Sequence, residues 1–162
     1  MTTMVMGIDP GLSGGIAMLK ESGLVATAEM PIAMKGAGTG KVKNEVNGAA
    51  LNILLREWVA GQSDEVIVVV EQVSSMPEQG VASVMSLGDS RGCIRGVIAA
   101  RGYPMHWVTP QRWKKHFGLQ ADKELARAKA IQLYPEAPLS RKRDHNVAEA
   151  ILIARFGWEV LR

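Results

Sequence analysis

The chain has 162 residues, of which 47% are hydrophobic and 22% are charged, ordinary proportions for a globular protein. This length predicts one domain, residues 1–162, with a sizeable core. Its single cysteine, Cys93, excludes an internal disulfide. No apolar run approaches the ~20 residues that a membrane helix needs, and the first residues lack the basic and then apolar pattern of a secretion signal. We therefore expect a cytoplasmic protein with no membrane partner.

Positive charge is concentrated in the last third of the chain. The net charge is only +3, because acidic residues elsewhere offset this basic region. Its members are Arg112, Lys114, Lys115, Lys123, Arg127, Lys129, Arg141, Lys142 and Arg143. A basic surface is typical of a polyanion-binding protein, but scattered surface lysines give the same composition. Composition alone therefore leaves nucleic-acid binding open.

The N-terminal segment predicts three strands before any helix. An apolar run over residues 4–8 ends in Asp9-Pro10-Gly11, the pattern of a buried strand followed by a turn. Residues 16–19 and 24–30 are the next two predicted strands, and a short hairpin turn joins them. A meander of this kind predicts antiparallel pairing in the first part of a sheet.

Residues 33–44 form a glycine-rich, basic stretch, which we expect to be a loop. Part of it, residues 36–41, resembles a phosphate-binding P-loop. The glycine spacing is one residue short, however, and Val42 occupies the position that requires Ser or Thr. A loop that contacts DNA is therefore a better hypothesis than a nucleotide site.

Helices and strands alternate in the remainder of the chain. The patterns predict a helix over 45–60, a strand over 66–70 ending at Glu71, a helix over 81–101, a strand over 105–108, and helices beginning near residues 109, 122 and 144. The helix over 81–101 is rich in small residues, which suit either packing on the sheet or contact with a second copy of the chain. A meander followed by this alternation predicts a mixed sheet with helices on both faces.

Three acidic residues lie in otherwise apolar segments. Asp9 and Glu71 end predicted strands, and Glu149 lies within the apolar stretch 147–153. A carboxylate among apolar residues is costly unless it has a cation, hydrogen bonds or a proton. Asp9 could instead form a turn, and Glu71 an ordinary ion pair. Together the three acids predict one metal-binding centre.

Four motifs, in this order, resemble RuvC-type Holliday-junction resolvases of the ribonuclease H-like superfamily, especially phage or mobile-element members. They are Gly7-Ile8-Asp9-Pro10-Gly11, Val69-Val70-Glu71-Gln72-Val73, Val108-Thr109-Pro110 with Trp113-Lys114 and Gly118-Leu119, and Arg143-Asp144-His145-Asn146-Val147-Ala148-Glu149-Ala150. The resemblance spans nearly the whole chain. It implies a ribonuclease H-like α/β fold with a central mixed five-stranded sheet, in a protein of a bacterial or phage-infected cell.

The resemblance also implies metal-assisted hydrolysis of a phosphodiester. Carboxylates suit Mg²⁺ or Mn²⁺, and two ions would share the site, with Asp9 bridging them and Glu71 binding one. Glu149 is our expected ligand from the final helix. Asp144 lies five residues earlier, offset by about 140° on a helix, where it could equally be a cap. Asp144 and His145 therefore stay alternative further members of the site.

The implied substrate is a four-way DNA junction, processed in recombination and repair. Two symmetric nicks require two active sites, so the resemblance implies a homodimer. The expected phosphate contacts are Arg112, Lys114, Lys115, Arg141, Lys142 and Arg143. Two alternatives stay open: a nuclease of the same fold that cuts RNA–DNA hybrid or flap DNA, and a junction-binding protein that does not cleave.

Overall fold

The computed structural model of the chain describes residues 2–36, 43–60 and 65–162. Its strands are β1 (Thr3–Asp9), β2 (Gly15–Lys20), β3 (Gly23–Glu29), β4 (Ile32–Lys35), β5 (Lys43–Val46), β6 (Glu65–Glu71) and β7 (Met105–Val108). Its helices are α1 (Gly48–Val59), α2 (Val81–Ala100), α3 (Pro110–His116), α4 (Lys123–Leu133) and α5 (His145–Val160), and a 3₁₀ turn over Lys142–Asp144 precedes α5.

Five strands form the main sheet, in the order β3-β2-β1-β6-β7. β1, β2 and β3 are antiparallel neighbours, since the short turns between them allow only hairpins. β6 is parallel to β1 and to β7, because helix-containing crossovers connect these strands. The predicted mixed five-stranded sheet, a meander extended by parallel strands, is confirmed.

Both faces of the sheet are covered, so its central strands are apolar on both sides. Alternate residues of β1 enter different cores: Val5 packs under α5, whereas Met4, Met6 and Ile8 pack under α1 and α2. The α5 face is completed by α3 and α4. The expectation of helices on both faces is therefore also confirmed.

The expectation of a loop over residues 33–44 is wrong at both ends of the segment. β4 and β5 pair with each other as a separate two-stranded antiparallel sheet. Three of the twelve residues in this stretch are glycine, but Ile32 and Val46, which flank it, pair across the hairpin. Residues 37–42, which include most of the P-loop-like motif, lie outside the described residues.

The helix predicted from residue 45 begins later, at Gly48. Asn47 caps it, and its side-chain oxygen accepts a hydrogen bond from the backbone N–H of Ala50 at 3.0 Å. Asn is a favoured residue at this position because it satisfies an otherwise unpaired donor. Across residues 2–36, 43–60 and 65–162, no helix is both long and apolar enough to cross a membrane.

Candidate active site

Two of the three acids meet because their strands are parallel neighbours. Ile8 of β1 is in register with Val70 of β6, so Asp9 and Glu71 follow at the same end of adjacent strands. This is the carboxyl end of the parallel part of the sheet, where sites of open α/β sheets commonly form. The sheet register thus brings together two carboxylates that are distant in sequence.

The third acid comes from α5, which packs unusually close to the sheet. A Cβ atom placed on Gly7 would lie 2.2 Å from the carbonyl oxygen of Ala150, and one on Gly15 would lie 2.9 Å from that of Asn146. Only glycine permits such approach between a strand and a helix backbone. The resulting contact places Glu149 near the ends of β1 and β6.

The Asp9 carboxyl is electrostatically unfavourable as an anion. Its pKa is raised from 3.8 to about 7, mainly by burial and further by the negative charges of Glu71 and Glu149. A hydrogen bond from the backbone N–H of Gly11, at 3.4 Å, opposes this shift. A carboxylate whose ionisation is opposed by burial and by other acids is typical of a functional site.

Glu71 is 7% exposed, and burial likewise raises its pKa. The indole N–H of Trp113 donates a hydrogen bond of 2.6 Å to Glu71 Oε2, which lowers this pKa. Trp113 reaches the acid because β7 runs beside β6 and leads directly into α3, whose first turn is capped by Thr109. A buried indole N–H needs an acceptor, and Glu71 is that acceptor.

Two lysines supply positive charge to the acids. Lys114 Nζ lies 3.7 Å from Glu149 Oε1, and its charge also lowers the pKa of Glu71. Lys123, at the start of α4, lowers the pKa values of both Asp9 and Glu71. These lysines only partly offset the repulsion, because the pKa values of Asp9 and Glu71 stay raised.

The donor set fits a hard divalent cation. Asp9, Glu71 and Glu149 offer carboxylate oxygens, which Mg²⁺ and Mn²⁺ prefer, and a cation would relieve their mutual repulsion. Within the described residues, no group of three or more acidic, histidine or cysteine side chains is already arranged to hold an ion. The assignment of these three acids as ligands therefore stays a prediction.

Asp144 and His145 do not take part in the repulsion among the three acids. The Asp144 carboxylate accepts hydrogen bonds from the backbone N–H of Arg141 at 2.7 Å and from its guanidinium at 2.7 Å, and the Arg141 pairing lowers the pKa of Asp144. His145 Nδ1 lies 3.1 Å from the carbonyl oxygen of Lys142. In this arrangement Asp144 would have to leave Arg141 to bind a metal.

The six residues predicted to contact DNA separate into two groups. Lys115, Lys142 and Arg143 are exposed, and the exposed Arg112 lies over the ring of Phe156. Arg141 binds Asp144, and Lys114 faces Glu149 instead of solvent.

Sequence reasoning missed two partners of the acids. The side chain of Trp113 is fully buried, and nothing local in the sequence indicated its bond to Glu71. Lys123 was counted only as part of the basic region. It lines an open cleft of about 570 Å³ together with Asp9, Ser86 and Asn146. Both contacts join segments that are far apart in sequence, so a local pattern could not reveal them.

Among proteins of known structure, two similar structures are of RuvC from Thermus thermophilus. One is 18% identical with a TM-score of 0.57, and the other, RuvC in complex with Holliday junction substrate, is 16% identical with a TM-score of 0.58; each comparison covers 96% of this chain and 95% of the other. No protein-family model and no curated protein matches the sequence. At this identity the likeness shows the fold, so the chain has the ribonuclease H-like architecture of these RuvC structures.

Proposed function

We propose that this chain is a divalent-metal-dependent endonuclease that resolves four-way DNA junctions, with residues 1–162 forming one nuclease domain. The observation that carries the proposal is the group formed by Asp9, Glu71 and Glu149. These acids repel one another at the carboxyl end of parallel strands. The RuvC structure with a Holliday junction substrate supports the choice of substrate, since the two chains share a fold over nearly their whole length.

In this proposal Asp9, Glu71 and Glu149 hold Mg²⁺ or Mn²⁺, two ions in each site. The bound cations supply Lewis-acid stabilisation of the charge that develops on the phosphate oxygens. Trp113 fixes the orientation of Glu71 through its indole N–H. Asp144 and His145 stay candidate further members of the site, and Asp144 is the less ready of them because Arg141 occupies its carboxylate.

Exposed basic residues around the site would position DNA through its phosphates. Lys115, Lys142 and Arg143 are exposed and border the elements that carry the acids. Such contacts hold the duplex without reading its sequence. Arg141 and Lys114 already have acidic partners, so we expect a smaller contribution to DNA binding from them.

We also propose a homodimer, because resolution of a junction needs two matched nicks. The outer face of α2 supports this. Val81 is 77% exposed and Val84 is 37% exposed, and a Cβ atom on Gly88, Gly92 or Gly96 would meet nothing within 4 Å. An open apolar face with glycines every fourth residue allows close approach of a second helix.

The test is cleavage of an end-labelled synthetic four-way junction, with Mg²⁺ or with EDTA, beside linear duplex, flap DNA and RNA–DNA hybrid. Paired symmetric nicks that require metal and are confined to the junction would support the proposal. Preferential cleavage of hybrid or flap would instead indicate a nuclease with another substrate. Junction binding without nicks under any metal would indicate a non-cleaving binding protein and would overturn the catalytic assignments. The proposed setting is recombination and repair in the cytoplasm of a bacterial or phage-infected cell.

A further inference from the structure

A groove leads away from Asp9, between the N-terminal half of α2 and the β4–β5 hairpin. It consists of two cavities, of about 570 and 510 Å³. Asp9 and Lys123 line the first cavity, and Lys35 and Met85 line the second. The residues that line both cavities, and therefore join them, are Leu12, Lys43, Ala82 and Ser86.

The hairpin wall of this groove is positively charged. Lys35 and Lys43 are paired directly across β4 and β5, and like charges in such pairs are destabilising. Glu45 lies 4.0 Å from Lys35 and partly compensates it. Lys43 has no ion-pair partner within the described parts of the chain. An anion in the groove would offset the repulsion between these lysines.

The α2 wall has a different character. Ala82 and the exposed Met85 present apolar surface, and Asp89 adds a negative charge at the end farther from Asp9. Phosphates are therefore attracted to the hairpin wall and repelled from part of the helix wall. The flat faces of bases suit the apolar side of α2, because every base has an apolar face that stacks or packs without regard to sequence.

The two walls of the groove suit one strand better than two. Lys43 of β5 and Ser86 of α2 border both cavities, so a positively charged wall faces a wall of small and apolar side chains along the groove. A duplex exposes its phosphates on the outside and stacks its bases within, so it offers no base face to the α2 wall. An unpaired strand presents its phosphates on one side and its bases on the other, as these walls require.

We propose that this groove binds an unpaired DNA strand and guides it to Asp9, with phosphates on Lys35 and Lys43 and bases against α2. The inference rests on the proposed function, because guiding a strand to Asp9 serves cleavage only if Asp9 belongs to the active site. It adds a strand-binding channel, and thus a requirement that the substrate be unpaired beside the cut.

The first test compares two double variants that each remove two positive charges. Lys35→Ala with Lys43→Ala alters the groove, whereas Arg56→Ala with Lys129→Ala removes one charge from α1 and one from α4, at residues that line neither cavity. Binding of fluorescent oligothymidylate and of duplex is measured by anisotropy in EDTA, over a range of salt. We expect the groove variant to lose about tenfold in single-strand affinity, and its log–log salt slope to fall by about 1.4, since each single-strand phosphate contact contributes about 0.7. Equal binding by both variants, or an equal loss for duplex, would overturn the proposal.

The second test adds a negative charge at two equally exposed methionines. Met85 lines the groove, whereas Met34 is 76% exposed and points to the other face of β4 from Lys35. Met85→Glu is expected to weaken single-strand binding about as much as the lysine double variant, and Met34→Glu to leave it unchanged. A loss for Met34→Glu alone would place the strand elsewhere. Because both tests measure binding without metal, a groove that binds single strands in a protein that cuts no junction would refute the proposed function alone.

Discussion

Two buried acids of this protein have opposite environments. Asp9 is buried and lies near other carboxylates, and together these raise its pKa to about 7. Asp144 is 3% exposed, yet the guanidinium and backbone N–H of Arg141 hold its pKa below the ordinary value. Both acids are thus buried, and the charge of the neighbouring groups decides whether the pKa is raised or lowered.

The comparison separates a candidate site from a structural ion pair. A carboxylate with its own arginine gains less from a metal ion than mutually repelling carboxylates do. We therefore place the chemistry at Asp9, Glu71 and Glu149, and assign Asp144 mainly to the start of α5.

The largest expected effect is loss of cleavage in Asp9→Asn and Glu71→Gln. These neutral isosteres keep the side-chain shape but remove charge that a cation requires, so we expect junction cleavage to fall by roughly 10²–10³-fold or more. Junction binding should be retained, because removal of negative charge does not weaken attraction to DNA. Single-turnover cleavage and gel-shift assays measure both. A folded variant that cuts at the wild-type rate would contradict the assignment of these acids to the active site.

The next effect is on stability, again at Asp9. Since its folded pKa is about 7 and its ordinary value is 3.8, the unfolded chain loses its proton first as pH rises, and stability falls between these values. Above pH 7 the penalty is complete, at most about 4 kcal/mol. Without divalent cation, Asp9→Asn should therefore be more stable than wild type at pH 8 and equal to it near pH 4.

Urea unfolding in EDTA at the two pH values measures this difference. Glu21→Gln, at an exposed turn position, is the matched control and should show no such gain. Added Mg²⁺ should stabilise the wild type more than Asp9→Asn, because only the intact site binds the ion. A destabilised Asp9→Asn at pH 8 would show that the carboxylate is satisfied after all.

A smaller effect is expected from Trp113→Phe. Loss of the indole donor removes the interaction that lowers the pKa of Glu71, so the carboxylate holds its proton to higher pH. Groups that hold a metal ligand in place by a hydrogen bond contribute about 10–100-fold in metal affinity. We expect the Mg²⁺ concentration for half-maximal cleavage to rise by about that factor, with activity recovered at high Mg²⁺. Trp158→Phe, at the far end of α5, controls for loss of an indole; an unchanged Mg²⁺ requirement in Trp113→Phe would contradict the role.

The smallest effect is expected from Asp144→Asn. The variant loses its charged hydrogen bonds to Arg141, at a cost of about 1–2 kcal/mol, and its folded protein should cleave within a few-fold of wild type. Because the folded pKa of Asp144 is lowered, this stability is present above pH 4 and disappears as pH falls through the lowered value. Thermal unfolding at neutral and acidic pH measures the convergence. A folded Asp144→Asn that no longer cleaves would move Asp144 into the site.

Much of the fold could be predicted because its signals are local. Apolar runs and turn residues predicted the five strands of the main sheet. The helix starts predicted near residues 109 and 122 are those of α3 and α4, where Thr109 and Asp122 accept backbone hydrogen bonds. The β4–β5 hairpin was missed because glycine content outweighed a weak strand pattern. Its pairing depends on contact between two short segments, which composition does not report.

The candidate acids could also be selected from sequence, since a carboxylate in an apolar segment is conspicuous wherever it occurs. The groups that surround these acids could not be predicted from sequence. Arg141 and Asp144 are only three residues apart, but whether their side chains meet depends on the turn before α5. The bond from Trp113 to Glu71 depends on β7 lying beside β6.

The sequence by itself therefore determined the five strands of the main sheet, the helices and the presence of three acids in apolar segments, because these follow from local periodicity and residue type. Only the tertiary structure decided which acids repel and which is neutralised. Parallel pairing of β1 with β6 brings Asp9 to Glu71, and glycines at positions 7 and 15 let α5 add Glu149. The pKa of a buried group depends on charges within a few ångströms, and the carboxylates of Glu71 and Glu149, which raise the pKa of Asp9, lie more than 60 residues away in sequence.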